Sequence, residues 1–187
     1  MRLIVAILMI AGFVSLADAA YIHAKAILAQ WLIRDAWAET LAQGPRAAVK
    51  PWRWADTWPV ARLRMADGEE YFVLEGDDGT ALAFGPGHAS GTAFPGESGS
   101  SVIAGHRDTH FRGAFKLQKG DVIRIQNRGG EWSSYDVVSQ QVVDTRRTRD
   151  WWIDPSQDEV HLVTCYPPDA ITPGGPLRYV VSATREH

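Results

Sequence analysis

Short apolar runs separated by glycine and proline turns fill the chain from Val60 to Ala183, and they constrain the fold more than any other feature. Several runs alternate apolar and polar side chains, which is typical of a strand buried on one face. The predicted strands cover residues 60–65, 70–75, 100–105, 121–126, 132–144, 160–165 and 177–183. A chain with about seven or eight strands and little helix hides its strand edges by closing into a barrel. We therefore predict an all-β fold, a closed β-barrel.

The composition limits the classes of partner and site. The chain has 187 residues, 45% of them apolar, and a net charge of -3 at neutral pH. That apolar fraction is enough for one core, and the small net charge gives no reason to expect a nucleic-acid partner. Cys165 is the single cysteine, which excludes an intramolecular disulfide and a cysteine-based zinc site. We predict neither a metal nor a cofactor.

The N-terminal segment is apolar enough to enter a membrane. Residues 3–17 form an uncharged run behind Arg2, and the run extends to about Ile22 if Asp18 lies near the interface. Ala17-Asp18-Ala19 also resembles a signal-peptidase site, so a cleaved signal peptide is the alternative. We favour an uncleaved anchor because helical apolar periodicity continues beyond it until Gln43-Gly44-Pro45. The predicted stripe is Ile27, Leu28, Trp31, Leu32 and Leu41.

The stretch from Pro45 to Pro59 is rich in proline, alanine and tryptophan. Its three tryptophans, Trp52, Trp54 and Trp58, prefer to be at least half buried, so we expect the stretch to pack on the domain surface. This predicts three regions: a membrane anchor over residues 1–23, an amphipathic helix and Trp/Pro-rich linker over 24–57, and a β-barrel over 58–187.

Three chemically active side chains stand at comparable strand ends. His106 follows the predicted strand 100–105, and Cys165 ends the strand 160–165. Arg178 begins the last strand, thirteen residues after the cysteine. Two neighbouring strands joined by a loop of that length would bring Cys165 and Arg178 to the same end of the barrel. Taken singly, each residue has a structural alternative: a buried inert thiol, a core histidine, or an arginine paired with a carboxylate such as Asp169.

Together the three residue types indicate acyl transfer through a thioester. A thiolate is the nucleophile, and a nearby cation favours it over the thiol. Histidine can protonate an amine leaving group and later deprotonate an incoming amine. Arginine stays protonated, so it stabilises a developing oxyanion instead of acting as a base.

Three motifs carry a resemblance to a known family. Leu162-Val163-Thr164-Cys165 resembles the Leu-x-Thr-Cys signature of the sortases. The stretch from Ala104 to Thr109 is similar to their histidine-bearing segment, and Leu177-Arg178-Tyr179 to their arginine strand. The glycine-rich stretches 85–88 and 174–178 resemble most closely the sortases of Gram-negative bacteria, also called class GN or marine proteobacterial sortases. His161 departs from the signature, and we expect it to point away from the site.

The resemblance implies an eight-stranded sortase barrel on a membrane anchor. Its activity would be that of a cysteine transpeptidase, a thiol peptidase in the broad sense. Cys165 would cleave a Leu-Pro-x-Thr-Gly-like sorting signal, His106 would act as general acid and base, and Arg178 would bind the oxyanion. Thr164 would add a hydrogen bond to the substrate.

The same resemblance implies the partners and the location. The partners would be a protein bearing a C-terminal sorting signal, an amine acceptor of unknown identity, and the membrane. The chain would cross the inner (cytoplasmic) membrane once, with its catalytic domain on the outer, periplasmic side.

Other functions fit the residues less well. An L,D-transpeptidase of the cell wall places its cysteine in a Ser-x-Gly-Cys context, unlike Thr164-Cys165. A papain-type protease carries its cysteine near the mature N-terminus. A metal site at His106 and His110 would need helical spacing, but that segment is predicted as loop. A non-catalytic surface-binding barrel with an inert cysteine remains an alternative, which the reactivity of the thiol would distinguish.

Overall fold

The computed structural model describes residues 2–147, 154, 156–170 and 174–186. One long helix, α1 (Arg2–Gln43), precedes eight strands. The strands are β1 (Pro59–Arg64), β2 (Glu70–Glu75), β3 (Gly87–His88), β4 (Ser101–Ala104), β5 (Val122–Gln126), β6 (Trp132–Asp144), β7 (Glu159–Cys165) and β8 (Leu177–Arg185). A short helix, α2 (Gly79–Leu82), lies between β2 and β3, and a 3-10 turn (Gly113–Lys116) lies between β4 and β5.

The eight strands close into a barrel, which confirms the predicted fold. Their order around the barrel is β1-β2-β3-β4-β7-β8-β6-β5. The β2–β3 and β4–β7 pairs are parallel, and the other pairs are antiparallel. Because β4 and β7 run in the same direction while β8 runs against them, the ends of β4 and β7 and the start of β8 meet at one end of the barrel. The positions predicted to be chemically active lie there.

The barrel interior is filled by the apolar side chains that the alternating pattern predicts. Its buried cluster draws on β1, β2, β4, β5, β6, β7 and β8, with Leu63, Ile103, Ile123, Ile125, Tyr135, Leu162 and Val181 among its members. A second, smaller cluster lies on the outer face of the sheet and contains Val102, Val163 and Val180, with Ala89 and Val143 packed against it. Alternate residues of β4, β7 and β8 therefore supply the interior and this outer patch.

Helix α1 packs on the barrel through a narrow stripe of mostly small residues. The buried positions are Ala29, Ile33, Ala36, Trp37 and Thr40. The stripe predicted from the sequence is largely exposed instead: the relative exposures of Ile27, Leu28 and Trp31 are 59%, 54% and 58%. The contact face therefore combines two large residues, Ile33 and Trp37, with alanines that allow the helix backbone close to the barrel. The N-terminal part of α1 is long and apolar enough to cross a membrane.

Two features escaped the sequence pattern. Strand β3 and helix α2 lie between the predicted strands 70–75 and 100–105, where the sequence pattern indicates neither, and β3 has only two residues. A Cβ atom at Gly87 would lie 2.1 Å from the carbonyl oxygen of Gly76, so only glycine allows this approach of the two backbones. The other feature is Trp54, which is 81% exposed although it was expected to be half buried. Its neighbour Trp52 does pack, with its ring centroid 5.1 Å from that of Phe84.

Candidate active site

Strand register brings the cysteine and the arginine side by side. Cys165 is the last residue of β7, and its Cα partner on β8 is Arg178. Directly opposite residues on paired strands project to the same face of the sheet. Cys165 and Arg178 are both partly buried. The pairing of β7 with β8 therefore places Cys165 and Arg178 next to each other on one face of the sheet.

The histidine follows the parallel neighbour of the cysteine strand. Ala104, the last residue of β4, pairs with Val163 of β7, so His106 and Cys165 each lie two residues beyond that pair. The Gly105 amide donates a hydrogen bond to the Val163 carbonyl at 3.0 Å, which continues the pairing one step past the strand. His106 itself is exposed. All three predicted side chains thus leave the sheet at the same end.

Thr164 connects the two segments that carry the histidine and the cysteine. Its side chain is buried, with 2% relative exposure, and its hydroxyl donates a 2.7 Å hydrogen bond to the Gly105 carbonyl. Gly105 is itself restricted to glycine, since a Cβ atom there would lie 2.6 Å from the Phe111 ring. A buried hydroxyl with a partner inside the protein is poorly placed for the substrate contact predicted from the sequence. Its position suits a role in holding the His106 segment against β7.

Arg107 makes a second connection between the histidine segment and the cysteine segment, and the sequence pattern does not predict it. Its Nη1 donates to the Pro167 carbonyl at 2.9 Å, and its Nη2 donates to the Ala170 carbonyl. The Arg107 side chain is only 10% exposed, and its Nε lies 3.5 Å from the exposed carboxylate of Asp108. The residue after His106 therefore holds the loop that follows Cys165. The only signal for this role in the sequence is the position of Arg107 within the histidine motif. An arginine there can bind two carbonyls at once, because its planar guanidinium has five N–H donors.

The Arg178 guanidinium is held by its own loop. Nη1 donates to the carbonyls of Gly175 and Leu177 at 2.6 and 2.9 Å. Among the described residues its partners are thus backbone carbonyls, and the carboxylate of Asp169 that the sequence suggested is not one of them. Both bonds use Nη1, so the guanidinium has further N–H groups on Nε and Nη2 with which to bind a substrate oxygen.

A second histidine lies close to His106. Burial, and then the charge of His106, lower the pKa of His110 below its ordinary value. The His110 ring also contacts the Tyr71 ring edge-on, with 5.9 Å between the centroids. Within the described ranges, no group of three or more histidine, cysteine or acidic side chains is placed to hold a metal ion. The two imidazoles repel each other when both are charged, which favours the neutral form of His110.

His161 does not point away from the site as predicted. Cys165 and His161 are four residues apart on a regular strand, so they share one face of β7. The His161 ring is nevertheless buried, with 3% relative exposure, and its Nδ1 lies 2.9 Å from the Ser182 hydroxyl of β8. Val163 lies between His161 and Cys165 on the same face of β7, and with its β8 partner Val180 it belongs to the outer apolar patch. His161 therefore lies beneath the surface, about 13 Å along the strand from the cysteine.

A thiol, an imidazole and a guanidinium thus meet at one end of the barrel, beside an apolar patch made by Val102, Val163 and Val180. These valines are buried, with relative exposures of 4%, 8% and 0%, so a substrate carbonyl would have to approach the thiol at the end of the strand. The thiol can attack, the imidazole can transfer a proton, and the guanidinium can bind a negative oxygen. These three capabilities are the ones that acyl transfer through a thioester uses.

Comparison with known proteins gives one consistent result. The family model for the sortase domain matches residues 65–186. Sortase D of Bacillus subtilis (strain 168) is 35% identical over 113 residues, which are 60% of this chain and 56% of that protein. The chain therefore spans little more than half the length of this relative.

Solved structures agree. The sortase D5 transpeptidase of Clostridium perfringens is 29% identical, with a TM-score of 0.59 over 70% of this chain and 80% of that one. Sortase A of Corynebacterium diphtheriae superposes with a TM-score of 0.63 over 85% of this chain and 84% of that one. At 24% identity, this last likeness bears on the fold alone.

Proposed function

The chain belongs to the sortase family, and on that premise we propose that it is a membrane-anchored cysteine transpeptidase. It cleaves a Leu-Pro-x-Thr-Gly-like sorting signal on a protein substrate and transfers the acyl group to an amine, which anchors the protein at the surface. The observation that carries this proposal is the direct pairing of Cys165 with Arg178, with His106 at the end of the neighbouring parallel strand.

The first half of the reaction forms the thioester. The Cys165 thiolate attacks the threonine carbonyl carbon of the sorting signal, and the carbonyl oxygen becomes an oxyanion. The Nε and Nη2 N–H groups of Arg178 bind that oxygen, since a guanidinium stabilises charge that develops in the transition state. The C–N bond then breaks, and the imidazolium of His106 donates its proton to the departing glycine amine. A thioester on Cys165 and a neutral imidazole remain.

The second half reverses the proton transfer. An incoming amine attacks the thioester carbonyl, and neutral His106 accepts a proton from it. The C–S bond breaks, so that the thiolate is regenerated and a new amide is released. Water in place of the amine would give hydrolysis by the same steps. Exposure of His106 supports a role in both halves, because leaving and entering amines must each reach the ring.

Thr164 and Arg107 serve this chemistry as positioning residues. Thr164 holds the carbonyl immediately before His106, and Arg107 holds two carbonyls of the loop immediately after Cys165. These bonds fix the imidazole and the thiol relative to each other, and displacements of about 1 Å between reacting groups cost on the order of a hundredfold in rate. We assign Thr164 this role in place of the substrate contact expected from its sequence position.

The membrane anchor and the orientation of the domain belong to the same proposal. Helix α1 would cross the inner membrane once with about twenty residues, starting near Leu3 and ending near Ile22. The barrel would then lie on the outer, periplasmic side, where a substrate awaiting anchoring is found. The assignment to the Gram-negative subclass rests on the glycine-rich motifs alone and stays a prediction.

The test is incubation of the full chain with a small library of Leu-Pro-x-Thr-Gly peptides and primary amines, followed by mass spectrometry. We expect a thioester adduct on Cys165 and, with amine present, a new amide product. Cys165→Ala should abolish both. The matched control is thiol titration of the folded protein: a slow, ordinary thiol with no adduct for any peptide would contradict the proposal and favour a non-catalytic barrel with an inert cysteine.

A further inference from the structure

An apolar groove lies where α1 leaves the barrel. It has a volume of about 790 Å³ and is formed by the helix on one side and the tryptophan segment (residues 45–59) with Phe84 on the other. Ile22, Ala26, Ala29, Trp52, Trp54 and Phe84 line it. Ile22 precedes Ala29 by seven residues and Ile33 by eleven, so it lies on the same face of the helix as the residues that pack on the barrel. The groove therefore lies where the face of α1 that packs on the barrel extends beyond the barrel toward the N-terminus.

Two of the large apolar side chains that line this groove are mostly exposed. Trp54 is 81% exposed and Ile22 is 67% exposed. By contrast, Trp132 on β6 is 40% exposed, and its ring is covered by the guanidinium of Arg64, 5.0 Å from the centroid. A contiguous exposed apolar surface marks a site of contact with another molecule or a membrane.

The position of the groove along α1 indicates which contact this is. About twenty residues from Leu3 fill the hydrocarbon core, which brings its boundary to Ile22. Just beyond it, the Lys25 ammonium lies 5.2 Å from the centre of the Tyr21 ring. Tyrosine and lysine at the end of an apolar span are typical of the interface between lipid and water. The groove begins at this same level, because Ile22 and Lys25 both line it.

The opposite face of the helix is apolar at this level too. Ile27 and Trp31 are both more than half exposed, lie about one helical turn apart and do not line the groove. Exposed apolar side chains on two opposite faces of a helix indicate an apolar environment around it. A protein partner seated in the groove would cover one face only, whereas lipid surrounds the helix.

We propose that phospholipids of the bilayer fill this groove and that Trp54 inserts at the level of their headgroups. The barrel is then held against the membrane at a second point besides the span, which limits its rotation about α1. The inference rests on the membrane anchor of the proposed function. It adds a contact made by the domain itself, at a tryptophan that the barrel fold leaves exposed.

The test measures the depth of single positions in a bilayer. Cys165→Ser removes the only native thiol, and Phe13→Cys, Trp54→Cys or Trp132→Cys then gives one site for a polarity-sensitive fluorophore. Phe13 is mid-span and Trp132 is on the barrel surface, so they are the membrane and solvent controls. The labelled full chain is reconstituted, one copy per disc, in phosphatidylcholine nanodiscs with and without bromine in the acyl chains. Thermal unfolding checks that the substitutions leave the fold intact.

We expect brominated lipid to reduce the fluorescence at residue 54 by an amount between the large loss at 13 and the negligible loss at 132. No loss at 54 together with a large loss at 13 would overturn the groove proposal and leave the anchor standing. No loss at either position would remove both. A loss at 54 equal to that at 132 counts as no loss, since a partner protein or water would then occupy the groove.

Discussion

Replacing Thr164 with valine separates the positioning role of this residue from its packing. Valine has nearly the same shape, so the substitution removes the hydroxyl that donates to the Gly105 carbonyl at 2.7 Å and leaves the packing of the methyl group intact. Gly105 is buried, so its carbonyl is left without that donor and away from water. A buried acceptor deprived of its partner costs about 1–3 kcal/mol. For a domain of this size, such a loss lowers the unfolding midpoint by roughly 4 °C per kcal/mol.

The effect on activity should be larger than the effect on stability. The hydrogen bond fixes the backbone one residue before His106, and its loss lets the imidazole move relative to Cys165. We expect Thr164→Val to slow thioester formation by about ten- to a hundredfold, since misplacement by about 1 Å costs up to about two orders of magnitude. The effect should fall on kcat and leave the peptide KM nearly unchanged, because in the proposed role the hydroxyl binds the Gly105 carbonyl and not the substrate.

Thr164→Ser is the matched control. Serine keeps the hydroxyl but loses a buried methyl group, which costs about 1 kcal/mol, the lower end of the cost expected for valine. Both variants should therefore unfold at a lower temperature than the wild type, while only valine slows acylation. The assay is single-turnover adduct formation with a sorting-signal peptide, well below both unfolding midpoints. If serine and valine slowed acylation equally, or if valine raised KM instead of lowering kcat, the positioning argument would be refuted.

Three further predictions concern the surroundings of the site. Arg107→Lys should slow acylation in single-turnover kinetics, because a lysine cannot bind the Pro167 and Ala170 carbonyls together. Asp108→Asn is the control: it alters only an exposed carboxylate 3.5 Å from the Arg107 side chain and should leave the rate unchanged. His106→Gln should raise the pKa of His110 in an NMR titration, since it removes a nearby positive charge, but burial should keep that pKa below its ordinary value. Gly87→Ala forces a Cβ to within 2.1 Å of a backbone oxygen and should cost about 1–3 kcal/mol or more, whereas Gly79→Ala enters open space and should stay within about 0.5 kcal/mol in chemical unfolding.

The sequence pattern was sufficient to predict the barrel and to place Cys165 and Arg178 at the same end of it. Strands longer than a few residues alternate clearly, and a loop between two antiparallel strands returns the chain to the same end. Strand β3 was missed because two residues are too few to show a period, and Gly87 and His88 have low strand propensity. Its pairing is determined by neighbours: Gly87 fits against Gly76, and the His88 ring lies 3.0 Å from the Glu75 carboxylate.

The contact face of α1 could not be read from hydrophobicity because two environments compete for the same helix. The larger apolar residues predict a packing stripe through Ile27, Leu28 and Trp31, but all three are more than half exposed. A helix that continues from a membrane span keeps apolar residues on all sides, so periodicity loses its meaning near the boundary. The buried face also includes small residues, such as Ala29 and Ala36, which allow close approach to the barrel and which a pattern of large apolar residues does not include.

The positioning roles of Thr164 and Arg107 could not be predicted, for a related reason. Thr164 and Arg107 donate to backbone carbonyls, and a carbonyl has no residue type to recognise. The consequence is an asymmetry in what the site tolerates. Substitution at the acceptor Ala170 leaves its carbonyl in place, whereas substitution of the donor Arg107 removes both bonds at once. Gly105 is an acceptor that cannot vary, because the Phe111 ring excludes a side chain there. Tolerance to substitution around Cys165 should therefore follow which partner supplies the side chain, not how close a residue lies to the thiol.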